Sequence, residues 1–285
     1  NIQLAKLSKE LATIKTDCRL GITMEQCRVE DLYNAKAFHM IQSLDIKSLL
    51  KRFDQETAGD KGLEKHFVLI RTKQEWETFA AGIQDGEPMG VKSVFRTGSD
   101  MTQDGDGQMT LFLSEKRERL LGMAVSFSKE KTAFCRIGDD LTEYDVMSAL
   151  EKLQEQHILA VNDLKAQLDF FEKATAKNSF DTSLAAYLIN PVQKGFAEED
   201  IAETYADISL YPYSQLFGKV PMETAFAEKE EELVRYASYC ALVNALAYPL
   251  LKRELKKIKS LSLFEEIEMP LLFTLYDMEQ CGILV

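Results

Sequence analysis

Cysteine and histidine are the residue types in this sequence best suited to soft-metal binding or covalent chemistry, but their spacing favours neither. The cysteines are five in number and form no Cys-x-x-Cys pair; they are Cys18, Cys27, Cys135, Cys240 and Cys281. This spacing argues against a disulfide framework and against a zinc site, so we expect reduced thiols in a cytoplasmic protein. The histidines lie apart from one another and from the cysteines, and we interpret each as a surface or boundary residue; they are His39, His66 and His157.

Two features that suggest reactivity have simpler interpretations. The run Asp104-Gly-Asp-Gly107 has the composition of a calcium-binding loop, but the glutamate that closes an EF-hand is missing at the required spacing. We therefore predict a turn there. Cys240 could be a reactive thiol, but no His, Lys or Arg lies beside it in the sequence to lower its pKa. We predict that it is a small buried core residue.

The hydrophobic pattern predicts the elements that would position these residues. Short helices are predicted over 1–65. The predicted strands that follow are 66–72, 91–97, 109–114, 120–128, 132–137 and 157–161. The predicted helices among and after them are 73–83, 145–156, 164–171 and about 222–259. The strands 120–128 and 132–137 are predicted to form a hairpin. Residues 192–221 are predicted to be a loop, and Ser262 is predicted to cap a last helix over 263–280. Strands surrounded by helices predict an α/β layer protein.

Charge and hydropathy exclude several classes of protein. The chain has 285 residues and a net charge of −12, which argues against strong independent binding to nucleic acid. No stretch reaches the roughly 20 apolar residues of a membrane span, and no signal peptide is visible. Because the sequence opens at Asn1 within a charged helical pattern, we expect a piece of a longer protein.

Three stretches, in order, resemble the family A DNA polymerases of the bacterial DNA polymerase I type. The first, Leu11-Ala-Thr-Ile-Lys-Thr-Asp17 with Lys47-Ser-Leu-Leu50, is similar to the tail after the 5′-nuclease domain. The second, Phe180-Asp-Thr-Ser-Leu-Ala-Ala-Tyr-Leu-Ile-Asn-Pro191, is similar to the second-motif region of the 3′–5′ exonuclease domain. The third, Glu266-Ile-Glu-Met-Pro-Leu-Leu272 with Asp277-Met-Glu-Gln-Cys-Gly-Ile283, is similar to the first helix and strand of the polymerase domain. The resemblance covers nearly the whole chain, and residues 86–120 fit it loosely.

This resemblance implies a fold and a domain order. We expect an RNase H-like 3′–5′ exonuclease fold, a mixed sheet flanked by helices, with a helical N-terminal extension and a C-terminal helix that enters the polymerase domain. The expected domains are a linker over 1–65, the exonuclease-like domain over 66–260 and the start of the polymerase domain over 261–285. In the parent enzyme, the resemblance implies a cytoplasmic bacterial nucleotidyltransferase of DNA replication and repair that uses Mg²⁺.

The exonuclease chemistry of this family implies two divalent metals held by four carboxylates, and each position can be sought here. The first motif, Asp-x-Glu, falls either on 91–97, which has no carboxylate, or on Leu113-Ser-Glu115, which keeps Glu115 alone. At the second motif, Gln167 stands in the Asp position and Asp163 in the position of a family Asn. At the third motif, Tyr236 is kept and Cys240 replaces the carboxylate.

At most one of the four metal-binding carboxylates is therefore present. Gln and protonated Cys are neutral and do not supply the negative charge that holds hard Mg²⁺ ions. We predict a degenerate exonuclease-like domain that acts as a scaffold, with no catalytic, cofactor-binding or metal-binding residues. For the fragment we expect a monomer with weak affinity for DNA and none for membranes, because DNA would be bound by the parent polymerase domain.

Two alternatives remain open at the level of sequence. The chain could be a working two-metal exonuclease whose carboxylates align differently, with Asp163, Asp169 or Glu115 as ligands. It could also be a free-standing acidic module that binds other proteins.

Overall fold

The protein divides into two compact units in a computed structural model, residues 1–52 and residues 53–285. The structure describes residues 2–15, scattered positions between 21 and 49, and residues 61–84, 86–96, 119–193 and 195–282. In the first unit, helix α1 spans Ile2–Ala12. This helix agrees with the short helices predicted for the first 65 residues. The predicted strand over 109–114 and the run at Asp104 lie outside the described residues.

The second unit alternates short strands with helices. Before the long C-terminal helices, its elements are α2 (Lys61–Glu64), β1 (Phe67–Ile70), α3 (Lys73–Ala80), β2 (Met89–Arg96), β3 (Arg119–Ser128), β4 (Lys131–Arg136), α4 (Glu143–Gln154), β5 (Leu159–Val161), a 3₁₀ helix (Lys165–Phe170), β6 (Ser179–Asp181) and α5 (Thr182–Ile189). Local sequence fixes several of these ends. Thr72 caps α3 by accepting from the Glu75 amide, and the Glu75 carboxylate accepts from the Thr72 amide, which is a capping box.

The described strands form one mixed six-stranded sheet in the order β1-β4-β3-β2-β5-β6. The β2–β3 and β3–β4 pairs are antiparallel, so the predicted hairpin of 120–128 with 132–137 is confirmed. β1 pairs with β4, β5 with β2, and β6 with β5, all in parallel. Helices flank this sheet, which is the predicted α/β architecture.

The remaining helices complete the second unit. They are α6 (Glu198–Ile201), continued by a π turn (Ala202–Ala206), α7 (Tyr213–Leu216), α8 (Met222–Glu228), α9 (Glu230–Lys257), and α10 (Leu261–Leu263), continued by a π turn (Phe264–Glu268) into α11 (Met269–Cys281). None of the helices described in the structure is long and apolar enough to cross a membrane.

Helix α9 packs across the middle of the sheet, against β2 and β3. Gly90 on β2 makes this close approach possible, because a Cβ atom there would lie 2.1 Å from the Ala241 carbonyl oxygen and 2.4 Å from the Ala245 amide nitrogen. The centre of α9 is buried on all sides, because every residue from Tyr236 to Ala245 is buried. The core of this unit therefore lies between β2, β3 and α9.

Three boundaries differ from the sequence prediction. The predicted loop over 192–221 contains α6, its π turn and α7. The predicted helix over 222–259 is interrupted at Lys229, whose φ of −140° and ψ of 53° are not helical. The last helix begins at Leu261 rather than after Ser262, since Ser260 precedes its first turn.

Candidate functional site

A lysine on β2 and a glutamate on α6 form a buried ion pair. The Lys92 Nζ atom lies 2.6 Å from Glu198 Oε1, and the two side chains are 14% and 5% exposed. Burial alone would lower the pKa of Lys92, but the Glu198 carboxylate raises it above its ordinary value. The lysine therefore stays charged inside the protein, where an unpaired charge would be strongly destabilising.

The alternation of β2 explains why Lys92 points at α9. Gly90 faces α9, and side chains two residues apart on a strand share a face. Lys92 and Val94 therefore lie on the α9 side of the sheet. Lys92 interacts electrostatically with Cys240, which precedes Ala241, the residue closest to Gly90.

Cys240 and Tyr236 lie one turn apart in the buried centre of α9. Both are buried, and Cys240 has no exposed surface, as predicted from the sequence. Burial raises the pKa of the Cys240 thiol well above its usual range; Glu198 adds to this effect and Lys92 opposes it. Cys240 is thus a neutral thiol at physiological pH, which disfavours both nucleophilic and metal-binding roles. The Tyr236 ring packs edge-on against the rings of Tyr213 and Phe217.

Gln167 joins the end of β5 to β2 through its side-chain amide. Its Oε1 atom accepts a hydrogen bond from the Ser93 amide at 3.0 Å, and its Nε2 atom donates to the Asn162 carbonyl at 2.9 Å. Since β5 pairs with β2 only up to Val91, the Gln167 side chain continues the sheet where the strand has ended. The side-chain amide of Gln167 fits this position because it accepts one hydrogen bond and donates the other.

A buried polar network fixes α9 on this part of the sheet. The Asn162 amide donates to Thr182 Oγ1 and to the Phe196 carbonyl, and Thr182 Oγ1 donates to Asn244 Oδ1. Asn244 Nδ2 in turn donates to the Val91 carbonyl at 3.1 Å. Asn244 is one turn after Cys240, so this network sets the position of Cys240 relative to β2.

The carboxylates proposed as alternative metal ligands are not joined to this cluster. Asp163 is exposed, with a φ of 53° in the turn after β5; Asn is common in this conformation. Asp169 is exposed and accepts hydrogen bonds from Tyr276 and Gln280 of α11. Glu115 lies outside the described residues.

The donor set around Lys92 does not fit two divalent metals. Across residues 61–96 and 119–282, apart from the masked positions, no group of three or more His, Cys, Asp or Glu side chains could hold a metal ion. An ammonium group lies beside the buried Glu198 carboxylate, the Cys240 thiol is neutral, and both polar side-chain atoms of Gln167 are hydrogen-bonded to protein groups. Hard divalent ions need free oxygen ligands, carboxylates among them, which this set does not supply.

Sequence reasoning missed two members of this site, Lys92 and Glu198. A lysine between Val91 and Val94 in a predicted strand was the available signal, because charged residues are almost never fully buried without a partner. Glu198 had no comparable signal, because it lies in an acidic run within a segment predicted to be a loop.

Comparison with curated proteins finds DNA polymerase I repeatedly. The enzyme of Bacillus subtilis is 26% identical over 292 residues, covering 99% of this chain and 30% of that protein. The enzyme of Mycobacterium leprae is 23% identical over 291 residues, covering 99% of this chain and 30% of that protein. That of Treponema pallidum is 36% identical over 114 residues, or 38% of this chain and 11% of that protein. The chain thus spans about 30% of the length of the relatives it matches along its whole length. No protein-family model matches.

Comparison with solved structures identifies the fold. A structure described as the apo form of a nuclease matches with a TM-score of 0.54 and 13% identity, covering 76% of this chain and 94% of that one. The catalytic core of RRP6 from Trypanosoma brucei matches at 0.51 and 14%, covering 72% and 51%. The polymerase domain of Pol1 from Mycobacterium smegmatis, in complex with primer-template DNA and dNTP, matches at 0.50 and 20%, covering 75% and 32%. The RNase H-like exonuclease fold and the resemblance to bacterial DNA polymerase I, both predicted from sequence, are confirmed.

Proposed function

We propose that this chain is the exonuclease-like region of a DNA polymerase I-like enzyme of DNA replication and repair, and that the region is a catalytically inert scaffold. The similarity over 99% of the chain to DNA polymerase I supports the first part. The second part depends on a single observation, the ammonium of Lys92 paired with Glu198 beside Cys240. In a two-metal exonuclease this space holds cations and the carboxylates that bind them.

We place the first motif on β2; the alternative at Leu113-Ser-Glu115 lies outside the residues that the structure describes. Two carboxylates in an Asp-x-Glu pattern share a face of the strand, and on β2 the face toward Cys240 carries Lys92 and Val94. We therefore assign the first motif to Lys92 and Val94. The four metal-binding positions would then be Lys92, Val94, Gln167 and Cys240, and none of them is a carboxylate.

The packing of the C-terminal segment supports a scaffold role. The Phe264 ring lies 4.7 Å from the Phe180 ring of β6. Tyr276 of α11 donates to Asp169 on the 3₁₀ helix, and Glu279 pairs with Lys165 on that same helix. The helix that would lead into a polymerase domain is thus part of the same core as the exonuclease-like sheet.

For the parent enzyme we propose DNA as the partner and Mg²⁺ as the cofactor of its polymerase domain. For the chain itself we propose a monomer in the cytoplasm with only weak, salt-sensitive affinity for DNA, because the net charge of −12 repels the phosphate backbone. We also propose that the exonuclease-like domain begins at residue 66 and ends at residue 260, as expected from the sequence.

The test is release of nucleotides from a labelled single strand, with Mg²⁺ or Mn²⁺, by the wild-type chain and by Lys92→Ala and Cys240→Ala. We expect no metal-dependent release by any of the three. Activity that is identical in all three, and that also survives replacement of Asp163, Asp169 and Glu115 by Ala, would come from a contaminating nuclease. Wild-type activity that any of these substitutions changes would refute an inert domain.

The polymerase relationship has its own test. The gene region after residue 285 should encode the polymerase domain, and the complete product should extend a primer on a DNA template. A complete product without polymerase activity would instead favour a free-standing acidic interaction module.

A further inference from the structure

We infer that the ammonium group of Lys92 is a built-in cation, which replaces metal ions in holding together the former metal site of this fold. The inference deepens the proposed function and rests on it, because a former metal site exists only if the domain is a degenerate exonuclease. The Lys92–Glu198 pair would stabilise the site after the metals are lost, whereas loss of activity by itself requires no such replacement.

The surroundings of Lys92 have the charge of a cation site. The Glu198 carboxylate lies 2.6 Å from the ammonium, and the half-buried Glu199 interacts with both groups. Burial raises the pKa of Glu199, with Glu198 adding to that effect and Lys92 opposing it. Without Lys92, the buried Glu198 carboxylate would have no ion-pair partner among the residues that the structure describes, and Glu199 would add a second negative charge near it.

The ion pair also connects two elements that are distant in sequence. Lys92 is on β2, and Glu198 opens α6, at a separation of 106 residues along the chain. The residue after α6, Ala202, is fully buried, as is Ile201. The Lys92–Glu198 pair therefore fixes α6 and its π turn over the sheet, beside α9. A covalently attached cation does this at every metal concentration.

A thermal-unfolding series on the full 285-residue chain tests the inference. The variants are Lys92→Ala, Lys92→Met, the double variant Lys92→Ala/Glu198→Leu, and Lys73→Ala as a matched control. Lys73 also forms an ion pair, with Asp145 at 3.3 Å, but its side chain is 63% exposed. Each protein is melted alone, with Mn²⁺, with n-propylammonium, which replaces the atoms that Lys92→Ala removes, and with NaCl at matched ionic strength.

We expect the wild-type Tm to respond to Mn²⁺ no more than to NaCl. The substitution Lys92→Ala should lower Tm by about 5–15 °C because it leaves the Glu198 carboxylate buried and unpaired, whereas Lys73→Ala should change Tm by less than about 2 °C. The double variant should melt above Lys92→Ala. Mn²⁺ or n-propylammonium should raise the Tm of Lys92→Ala and leave that of the double variant unchanged.

Three results would overturn the inference. They are stabilisation of the wild-type chain by Mn²⁺ beyond the NaCl control, a double variant no more stable than Lys92→Ala, and a Lys92→Ala variant that neither cation stabilises. If Lys92→Ala does not fold, Lys92→Met replaces it in the comparison with the double variant. The response of the wild-type Tm to Mn²⁺, compared with NaCl, then still tests the inference without any variant. Stabilisation of an inactive wild-type chain by Mn²⁺ would refute the built-in cation while leaving the inert exonuclease domain intact.

Discussion

A carboxylate placed at Cys240 should cost less stability than the same carboxylate placed at Cys135, although both thiols have 0% exposure. Cys135 lies on β4 between Ile70 and Met123, and burial alone raises the pKa of its thiol. Cys240 is equally buried, and Glu198 and Glu199 oppose a negative charge there, whereas Lys92 and a hydrogen bond from Tyr236 favour one. The pair Cys240→Asp and Cys135→Asp therefore measures whether Lys92 and Tyr236 outweigh the two glutamates at this site.

The expected magnitudes follow from the two environments. An uncompensated buried charge costs about 3–5 kcal/mol, and this is the loss in unfolding free energy we expect for Cys135→Asp at pH 7. A hydrogen bond to a charged group returns about 1.5–3 kcal/mol. Since Glu198 already shares Lys92, we expect Cys240→Asp to cost about 1–3 kcal/mol.

Urea denaturation followed by circular dichroism makes the measurement, with Cys135→Ser and Cys240→Ser as controls for a buried polar group. Burial raises the pKa of a carboxyl group in the folded state, so the cost should be largest above that pKa. It should shrink as the pH falls toward the unfolded value of about 3.9. This recovery should be larger for Cys135→Asp. Equal losses at the two positions, or a larger loss at Cys240, would refute the expectation that Lys92 and Tyr236 outweigh Glu198 and Glu199 at Cys240.

Three further substitutions test the packing around the site. Gly90→Ala should destabilise the chain by about 3 kcal/mol or more, measured by urea denaturation, because the new Cβ would collide with backbone atoms of Ala241 and Ala245; an unchanged midpoint would mean that α9 does not approach β2 this closely. Lys259→Gly should raise the unfolding free energy by about 0.5–1 kcal/mol, because Lys259 follows α9 with a φ of 61°, and a lower Tm would contradict this. Asp181→Ala should cost about 2–4 kcal/mol in the same assay, since this buried carboxylate accepts from three backbone amides at the start of α5 and the 3₁₀ helix; a loss below 1 kcal/mol would show that water replaces those bonds.

The sequence predicted the elements whose pattern is local. The strand run around Val68, the helix after Thr72 and the hairpin closed at Lys129–Lys131 have a clear period and clear ends, and the structure has each of them. Strand β6 was not predicted, because three residues are too few for a period to be recognised. Its strand conformation comes from parallel pairing with β5, which is a tertiary effect.

The site could be predicted only in part, for a related reason. Gln167, Tyr236 and Cys240 could be found because the resemblance supplied their spacing. The role of Lys92 depends on which face of β2 lies against α9, and a shift of one residue would turn it away. Glu198 depends on the fold of a segment with short helices, where hydrophobic period is weak and burial comes from contacts distant in sequence.

The hydrogen bonds of Gln167 have a consequence for the history of this domain. Its amide accepts from Ser93 and donates to Asn162 at the same time. A carboxylate in that position has no proton to donate and would repel the Asn162 carbonyl. If the position descends from an aspartate, the present neighbours now depend on the replacement. A return to aspartate would lower stability before any metal could bind. Recovery of nuclease activity would therefore require substitutions at several positions, and the return to aspartate at residue 167 would lower stability before any activity appeared.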